Sequence, residues 1–451
     1  MPPSTKKKPS QRPRLLVIAY NFPPVGGGGV QRVAKFVKYL PDFGWDCSVL
    51  TVANPSVPAL DESLCEEIPS TTLIRRVRTF EPGYKLKVAM LSSRGNEHSS
   101  RTWKEILATW VHKFTYAFLH PDPQILWQPG ALMQGLRLLK EIPHDAILAT
   151  APPFSSFLTA VELSRRSGLP LILDFRDEWG INDSHREHSH KSRPSTWLQQ
   201  KMQTSVLRRA VGILTTTKRS ADFLRKACEK AGSRAQVISI YNGYDSADLS
   251  NSQRLSVEKR RNSRFRLTYV GTLWKLTSIE PIVEAITLLA RRSAKLAERI
   301  ELVIVGRQTG EQQSILHRLD GLPCHVVNEG YVSHQRALEL MAQADELLLL
   351  LSDLKEADRV IPAKTFEYLA MQKPILVMAP PGELTDLLNS HPIAKYFSPS
   401  DALGLAEHLE RQLLRPTDFV TILDKKLIEP FQRRNLTCLL ANFLTQVANS
   451  A

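Results

Sequence analysis

The chain has 451 residues, 43% hydrophobic and 23% charged, which is ordinary globular usage and, at about 150 residues per domain, enough for two or three domains. Collagen-like, mucin-like and largely disordered chains are excluded. With 59 Lys and Arg against 45 Asp and Glu, the formal charge of +14 points to anionic partners: nucleic acid, phosphate-bearing ligands or an acidic membrane surface.

In chain order, residues 1–13 (MPPSTKKKPSQRP) are expected to be a disordered basic tail. The apolar stretch behind them, 15–20, is too short for a signal peptide and ends in Asn21-Phe22-Pro23-Pro24. Residues 15–19 predict a strand, 23–29 a glycine-rich turn, and Val30, Val33, Ala34, Val37 and Leu40 a helix. Buried-strand patterns recur over 47–52, 146–149, 171–175, 212–216 and 237–240, with helical stretches between several of them. Strands alternating with helices predict a parallel sheet covered on both faces. Residues 246–264 turn polar and basic and predict a linker. The alternation then restarts with strands over 267–270, 302–305, 325–327, 347–351 and 375–378 and helices over 279–289, 335–342 and 364–371. The expected fold is therefore α/β, with an N-terminal domain over 14–245, a second over 265–417, and C-terminal helices over 418–451.

Cys47, Cys65, Cys228, Cys324 and Cys438 are odd in number and never in a C-x-x-C pair, so neither a disulfide framework nor a zinc site is indicated, and a reducing, cytoplasmic setting fits. No apolar run approaches the ~18 residues of a membrane span. Trp103, Ile106, Leu107, Trp110, Val111, Phe114 and Phe118 form a helical stripe flanked by Lys104 and Lys113, either core or an interfacial membrane face.

Four segments carry candidate chemistry. Gly26 to Gly29 before a helix allow backbone amides to approach an anion, or form a flexible turn; the pattern is neither G-x-G-x-x-G nor a P-loop. Asp174, Arg176 and Asp177 end an apolar strand, where they act at a site or pair with one another. Lys364 and Glu367 lie one turn apart on a helix, as a surface pair or at a loop-lined edge. His185, His188 and His190 fall in a polar loop-like stretch, and with neither D-x-D nor H-E-x-x-H in the chain, metal chemistry has no support in the sequence.

Taken together, AYNFPPVGGGGVQRVAKFVKYLPDFGWDCSVLT, LATAPPFSSFLTAVELSRRSGLPLILDFRDEW, YNGYD and KTFEYLAMQKPIL resemble the family 4 glycosyltransferases over residues 15–388. The resemblance implies the GT-B fold, two doubly wound Rossmann-like domains facing across a cleft. It also implies retaining transfer of a sugar from a nucleotide-diphosphate-sugar to a carbohydrate or lipid-linked acceptor, with no cofactor and no metal, as in polysaccharide or glycolipid assembly.

By position, Glu367 matches the second acid of the family's E-x7-E pattern, expected on the donor ribose. Gly27, Gly28 and Gly29 match the phosphate-side loop of the first domain, and Gly271 opens the loop where the family has Gly-Arg; Gly306 joins the donor-side candidates because the strand ending at Val305 likewise runs into glycine. Thr272 stands where the family usually has arginine, leaving Lys275 and Lys364 as the cations for the diphosphate. Arg359 stands at the first acid, and either faces the donor or pairs with Glu356 or Asp358 on a solvated turn. Ser155, Asp174, Arg176 and Asp177 are the acceptor-side candidates, and no residue is assigned as the catalytic group. The expected location is cytoplasmic, peripheral at the inner face of a membrane. Rival readings are a nucleotide-sugar epimerase or hydrolase on the same fold, and a nucleic-acid binder; the scatter of Lys and Arg disfavours the last, and no nucleic-acid partner is expected.

Overall fold

The computed structural model describes residues 12–57, 60–84, 119–179, 193–249, 264–414 and 424–450. They fall into two compact units: the described residues of 12–179 with 193–240 and 437–450, and those of 241–436.

In the first unit, β1 (Arg14–Ile18), β2 (Asp46–Val52), β3 (Leu73–Val77), β4 (Ala146–Ala151), β5 (Leu171–Phe175), β6 (Gly212–Thr215) and β7 (Gln236–Ser239) form one sheet. The order is β3-β2-β1-β4-β5-β6-β7, and every neighbouring pair is parallel. The inner strands are apolar without alternation because helices cover both faces. All of Ala146–Ala151 is buried, for example, beneath helices such as Ser155–Ser167. The order reverses between β1 and β4, which puts a ligand-binding crevice at their carboxyl ends.

The second unit repeats the scheme with β8 (Phe265–Val270), β9 (Ile300–Val305), β10 (His325–Gly330), β11 (Glu346–Leu350), β12 (Ile375–Met378) and β13 (Ala394–Phe397), in the order β10-β9-β8-β11-β12-β13. Its strands are likewise parallel, and the reversal falls between β8 and β11. Both reversal points are fastened the same way at the amino edge. The Asp145 carboxylate accepts the Arg14 N–H at 2.7 Å, and that of Asp345 accepts the Arg266 N–H at 2.7 Å. In return each aspartate's N–H donates at 2.9 Å, to the carbonyls of Arg14 and Arg266.

Every strand expected from the sequence is present. Two that the apolar pattern does not show, β3 and β13, are edge strands, where one side of the ladder is open and polar residues such as Arg75, Arg76 and Lys395 are tolerated. The basic tail up to residue 11, most of the expected linker (250–263), the stripe from Trp103 to Phe118, and His185, His188 and His190 lie outside the described residues. Among those described, no helix is long and apolar enough to cross a membrane.

At the carboxyl edge of the second sheet two backbones meet. Gly271 and Gly306, directly after β8 and β9, have φ of 136° and 123°, and a Cβ added at residue 306 would lie 2.1 Å from the Gly271 carbonyl oxygen. Only glycine allows both the conformation and the approach. Gly306→Ala is expected to cost at least about 2 kcal/mol, from φ strain and the parting of the two loops. Urea unfolding of the full chain measures it; a loss under about 0.5 kcal/mol would mean that the loops separate freely.

Candidate functional site

The carboxyl edge of the first sheet is built around two arginines. The helix Gly28–Tyr39 follows the glycine turn, has no acidic residue in its first turn, and leaves Gly27, Gly28 and Gly29 exposed. One turn further, on the buried face of that helix, Arg32 forms a buried ion pair with Asp174: Nη2 lies 3.0 Å from Oδ1, and both side chains are almost wholly excluded from solvent. Thr150 Oγ1 donates to the same carboxylate at 2.9 Å, and Arg32 Nη1 donates to the Ile240 carbonyl at 2.8 Å. Asp174 is thus a core group partnered by Arg32. Arg176 instead donates to main-chain carbonyls: to Ala151 at 3.3 Å, and in short contacts to Gly29 and Pro152. Burial pulls the Arg176 pKa below its ordinary value, against the nearby charges of Asp174 and Asp177. The guanidinium thereby ties the glycine turn to the end of β4.

Beside them lies an acid that the sequence reading missed. The Asp122 carboxylate accepts the N–H groups of Phe154 at 2.6 Å and Ser155 at 3.1 Å, at the start of the helix Ser155–Ser167. Burial raises its pKa, with the Ser155 contacts opposing. Ser155 itself is buried. Nearby, Glu81 accepts from Gln124 Nε2 at 2.6 Å and, in a short contact, from the Tyr20 hydroxyl. Burial and Glu81 raise the Tyr20 pKa. The available signal for Asp122 is its place just after His120-Pro121, ahead of the proline-opened turn Pro123–Trp127.

In the second unit the crevice is formed by strands that part. β11 pairs with β8 only at Leu267 and Thr268, so the Val270 N–H has no strand partner there; the Tyr368 hydroxyl accepts it at 3.0 Å. This fastens the helix Lys364–Met371 to the end of β8 and sets the preceding turn, with Lys364 and Glu367, over Gly271. Lys364 Nζ lies 3.5 Å from the Tyr269 ring centroid, and 3.0 Å from where a Cβ on Gly271 would stand. Burial lowers its pKa well below the ordinary range, Glu367 opposing. Glu367 Oε1 stands 3.8 Å from His334 Nε2, whose other carboxylate neighbour, Asp248, lies at 3.5 Å. The loop after β8 is pinned through the Thr272 carbonyl, which accepts from Tyr269 Oη at 2.9 Å and Thr277 Oγ1 at 2.7 Å. Thr272 and Lys275 are exposed on it.

The structure therefore gathers Gly271, Gly306, Lys364 and Glu367 at one sheet edge, with Lys275 on the adjoining loop. Gly27 to Gly29, Arg176 and Asp177 gather at the other unit's edge, with Ser155 and Asp174 buried behind them. Arg359 pairs with Glu356 at 3.5 Å. Sequence reasoning also missed Arg32, whose signal is a charge, with Lys35 one turn on, among Val30, Val33, Ala34 and Val37 on a buried stretch of helix. Because a buried charge without its partner is costly, Arg32→Met is expected to destabilise the first unit by about 3–5 kcal/mol, and Arg32→Met with Asp174→Leu by much less. Chemical denaturation of the three proteins checks this; equal losses would show that the pair is not coupled.

Two family models match the chain: a glycosyl transferase 4-like domain over residues 27–243 and a glycosyl transferases group 1 domain over 264–414. A comparison with curated protein sequences finds no match. Among solved structures, Anabaena Alr3699/HepE in complex with UDP and glucose is 14% identical with a TM-score of 0.54, covering 97% of each chain. WaaG, a glycosyltransferase involved in lipopolysaccharide biosynthesis, is 13% identical with a TM-score of 0.55, covering 97% of this chain and 98% of its own. The trehalose-6-phosphate synthase OtsA is 12% identical with a TM-score of 0.59, covering 96% and 99%. At such identities the structural likeness speaks for the fold, and the two family models speak for the activity. The chain belongs to the family-4-like glycosyltransferases, enzymes of GT-B fold.

Proposed function

We propose that the enzyme moves a sugar from a nucleotide-diphosphate-sugar to a carbohydrate or lipid-linked acceptor, with retention at the anomeric carbon and without a metal. The observation that carries this reading is the edge of the second sheet, where an acid, Glu367, and an amine, Lys364, stand one helical turn apart over a glycine-lined strand end. A ribose presents hydroxyl donors that suit a carboxylate, and a diphosphate presents charge that suits an amine and close backbone amides. The HepE structure with UDP and glucose supports a donor of this class.

As the glycosidic C–O bond breaks, negative charge grows on the departing diphosphate while the sugar becomes cationic. Groups already aimed at the phosphates lower that barrier without themselves reacting. Lys275 and Lys364 supply positive charge of the kind that a chelated metal brings elsewhere, and the chain has no D-x-D motif to hold one. That supports the metal-independent reading. On the first unit, Gly27, Gly28 and Gly29 are the candidate phosphate-side loop and Arg176 and Asp177 the acceptor-side candidates, with Ser155 and Asp174 shaping the loop from behind.

Glu367→Gln is expected to leave the fold intact and lower kcat/KM for the donor roughly 10- to 150-fold, the cost of about 1.5–3 kcal/mol for charge-assisted hydrogen bonds. Unchanged kinetics would remove Glu367 from the ribose. The donor is found by thermal shift against common nucleoside diphosphates and their sugars, where saturation at about 100 Kd adds ~2.7 kcal/mol. Sugar release without an acceptor would instead mark a hydrolase. A role in polysaccharide or glycolipid assembly at the cytoplasmic membrane face is supported by the +14 charge and the basic segment from Lys6 to Arg14. Sedimentation with anionic vesicles is expected at low salt and not at high salt; no binding at low salt would rule this location out.

A further inference from the structure

We propose that the stacked rings of Phe154 and Trp179, at the carboxyl edge of the first sheet, are an acceptor subsite, the platform on which a pyranose ring of the acceptor lies. This rests on the acceptor reading above and commits it to a carbohydrate at this place.

The rings belong to a column that runs out of the core. At its base Phe157 and Phe175 are buried, 0% and 2% exposed, with centroids 4.7 Å apart. Above them Phe154 lies 5.9 Å and Trp179 6.4 Å from Phe157. These two stack on each other at 4.6 Å, with 29° between their planes, and both are only half-buried. Phe154 follows the end of β4 by three residues and Trp179 follows that of β5 by four. The column therefore ends beside the reversal of strand order, where open α/β sheets bind ligands. The backbone beneath the upper pair is held in place: Asp122 accepts the Phe154 N–H at 2.6 Å, and Arg176 donates to the Ala151 carbonyl at 3.3 Å.

Two observations point to a ligand that has both an apolar face and hydroxyls. The first is the indole N–H. Trp45 and Trp127, both buried, donate theirs to Thr445 Oγ1 at 3.1 Å and to the Val77 carbonyl at 3.2 Å, as buried indoles require. That of Trp179 has no partner among the described residues. The second is the rim. Arg176 and Asp177 stand half-buried just before Trp179, and the Asp122 carboxylate is bonded to the backbone of Phe154, so the platform is apolar at its centre and charged at its margin. A pyranose has the same layout, C–H bonds on one face and hydroxyls around the ring, and pockets of this composition orient a ligand through a few polar groups. A prenyl or acyl chain, apolar along its length, would cover the rim and leave its charges unpaired. Trp179 thus determines which acceptor is held and takes no part in the chemistry.

The test is NMR of the full chain, isotope-labelled at the tryptophan ring nitrogens, with UDP, ADP and GDP present to fill the donor site. It is titrated with the methyl pyranosides of glucose, galactose, mannose and N-acetylglucosamine, and with geranyl phosphate as a prenyl probe. The Trp179 indole signal is assigned by its absence from Trp179→Phe. It is expected to shift saturably with at least one pyranoside and not with geranyl phosphate, while the signals of Trp45 and Trp127 stay in place. By saturation transfer, Trp179→Phe, which keeps a ring, is expected to bind that pyranoside within about threefold of the wild type, and Trp179→Leu at least about tenfold more weakly. Nucleotide affinity is expected to be unchanged in both. A pyranoside that binds without moving the Trp179 signal, or equally well in Trp179→Leu, overturns the proposal and leaves the carbohydrate-acceptor reading standing at another place. A shift with geranyl phosphate alone gives the platform to a lipid chain and overturns it as well. If no pyranoside binds, the proposal and the carbohydrate-acceptor reading fail together, and the donor reading is judged separately by the nucleotide affinity of the same samples.

Discussion

β8 leaves its pairing with β11 after Thr268, and the backbone N–H of Val270, two residues on, would lack an acceptor but for the Tyr368 hydroxyl. A buried N–H cannot be left without a partner at small cost, so the parting of the strands requires an oxygen brought in from elsewhere. The residue that brings it sits on the helix after β11, and its depth is set by the ring of a tyrosine wholly excluded from solvent. Once Tyr368 is fixed, helical spacing puts Glu367 next to it and Lys364 one turn earlier, over the glycine that ends β8. The crevice, the acid and the amine thus follow from one hydrogen bond, and the glycines at 271 and 306 keep the floor of the crevice free of side chains.

The two units share a strand order and a carboxylate clamp, yet they spend positive charge differently. In the first, Arg32 is matched by Asp174, and Arg176 is held by main-chain carbonyls, so both arginines hold the glycine turn in place. In the second, the amine at the strand end has no such use within the fold. A guanidinium with its fork of donors suits the tying of loops, whereas an ammonium on a flexible stem is a compact point charge. The chemistry of each edge follows from which cation is placed there.

Much of this was legible in the residues. Unbroken apolar runs such as 15–19 and 347–351 mark strands buried on both faces, and the glycines after β1, β8 and β9 mark the carboxyl edge of each sheet. The edge strands were not legible, because β3 carries Arg75 and Arg76 and β13 carries Lys395 where the sheet is open to solvent. Nor was the partner of Asp174: adjacency in sequence suggests Arg176 or Asp177, while the pair is made 142 residues away, by Arg32. The departure at Arg359 reads as a compensating charge or a solvated turn; in the structure the half-buried Arg359 lies 3.5 Å from Glu356, a contact that either arrangement allows. Long-range pairings of this kind depend on which strands become neighbours, which local patterning does not encode.

The carboxylate clamp at each amino edge also measures how much chain each unit closes. Asp145 reaches Arg14 across 131 residues, while Asp345 reaches Arg266 across 79. Loop-closure entropy grows only with the logarithm of length, so the larger loop costs roughly 0.4 kcal/mol more. That small entropic difference is outweighed by packing: within the first unit's loop the turn Pro123–Trp127 and the helix Gln128–Glu141 bury Trp127, Ala131 and Leu138 in the core, so closing the longer loop brings in the side chains that cover the sheet.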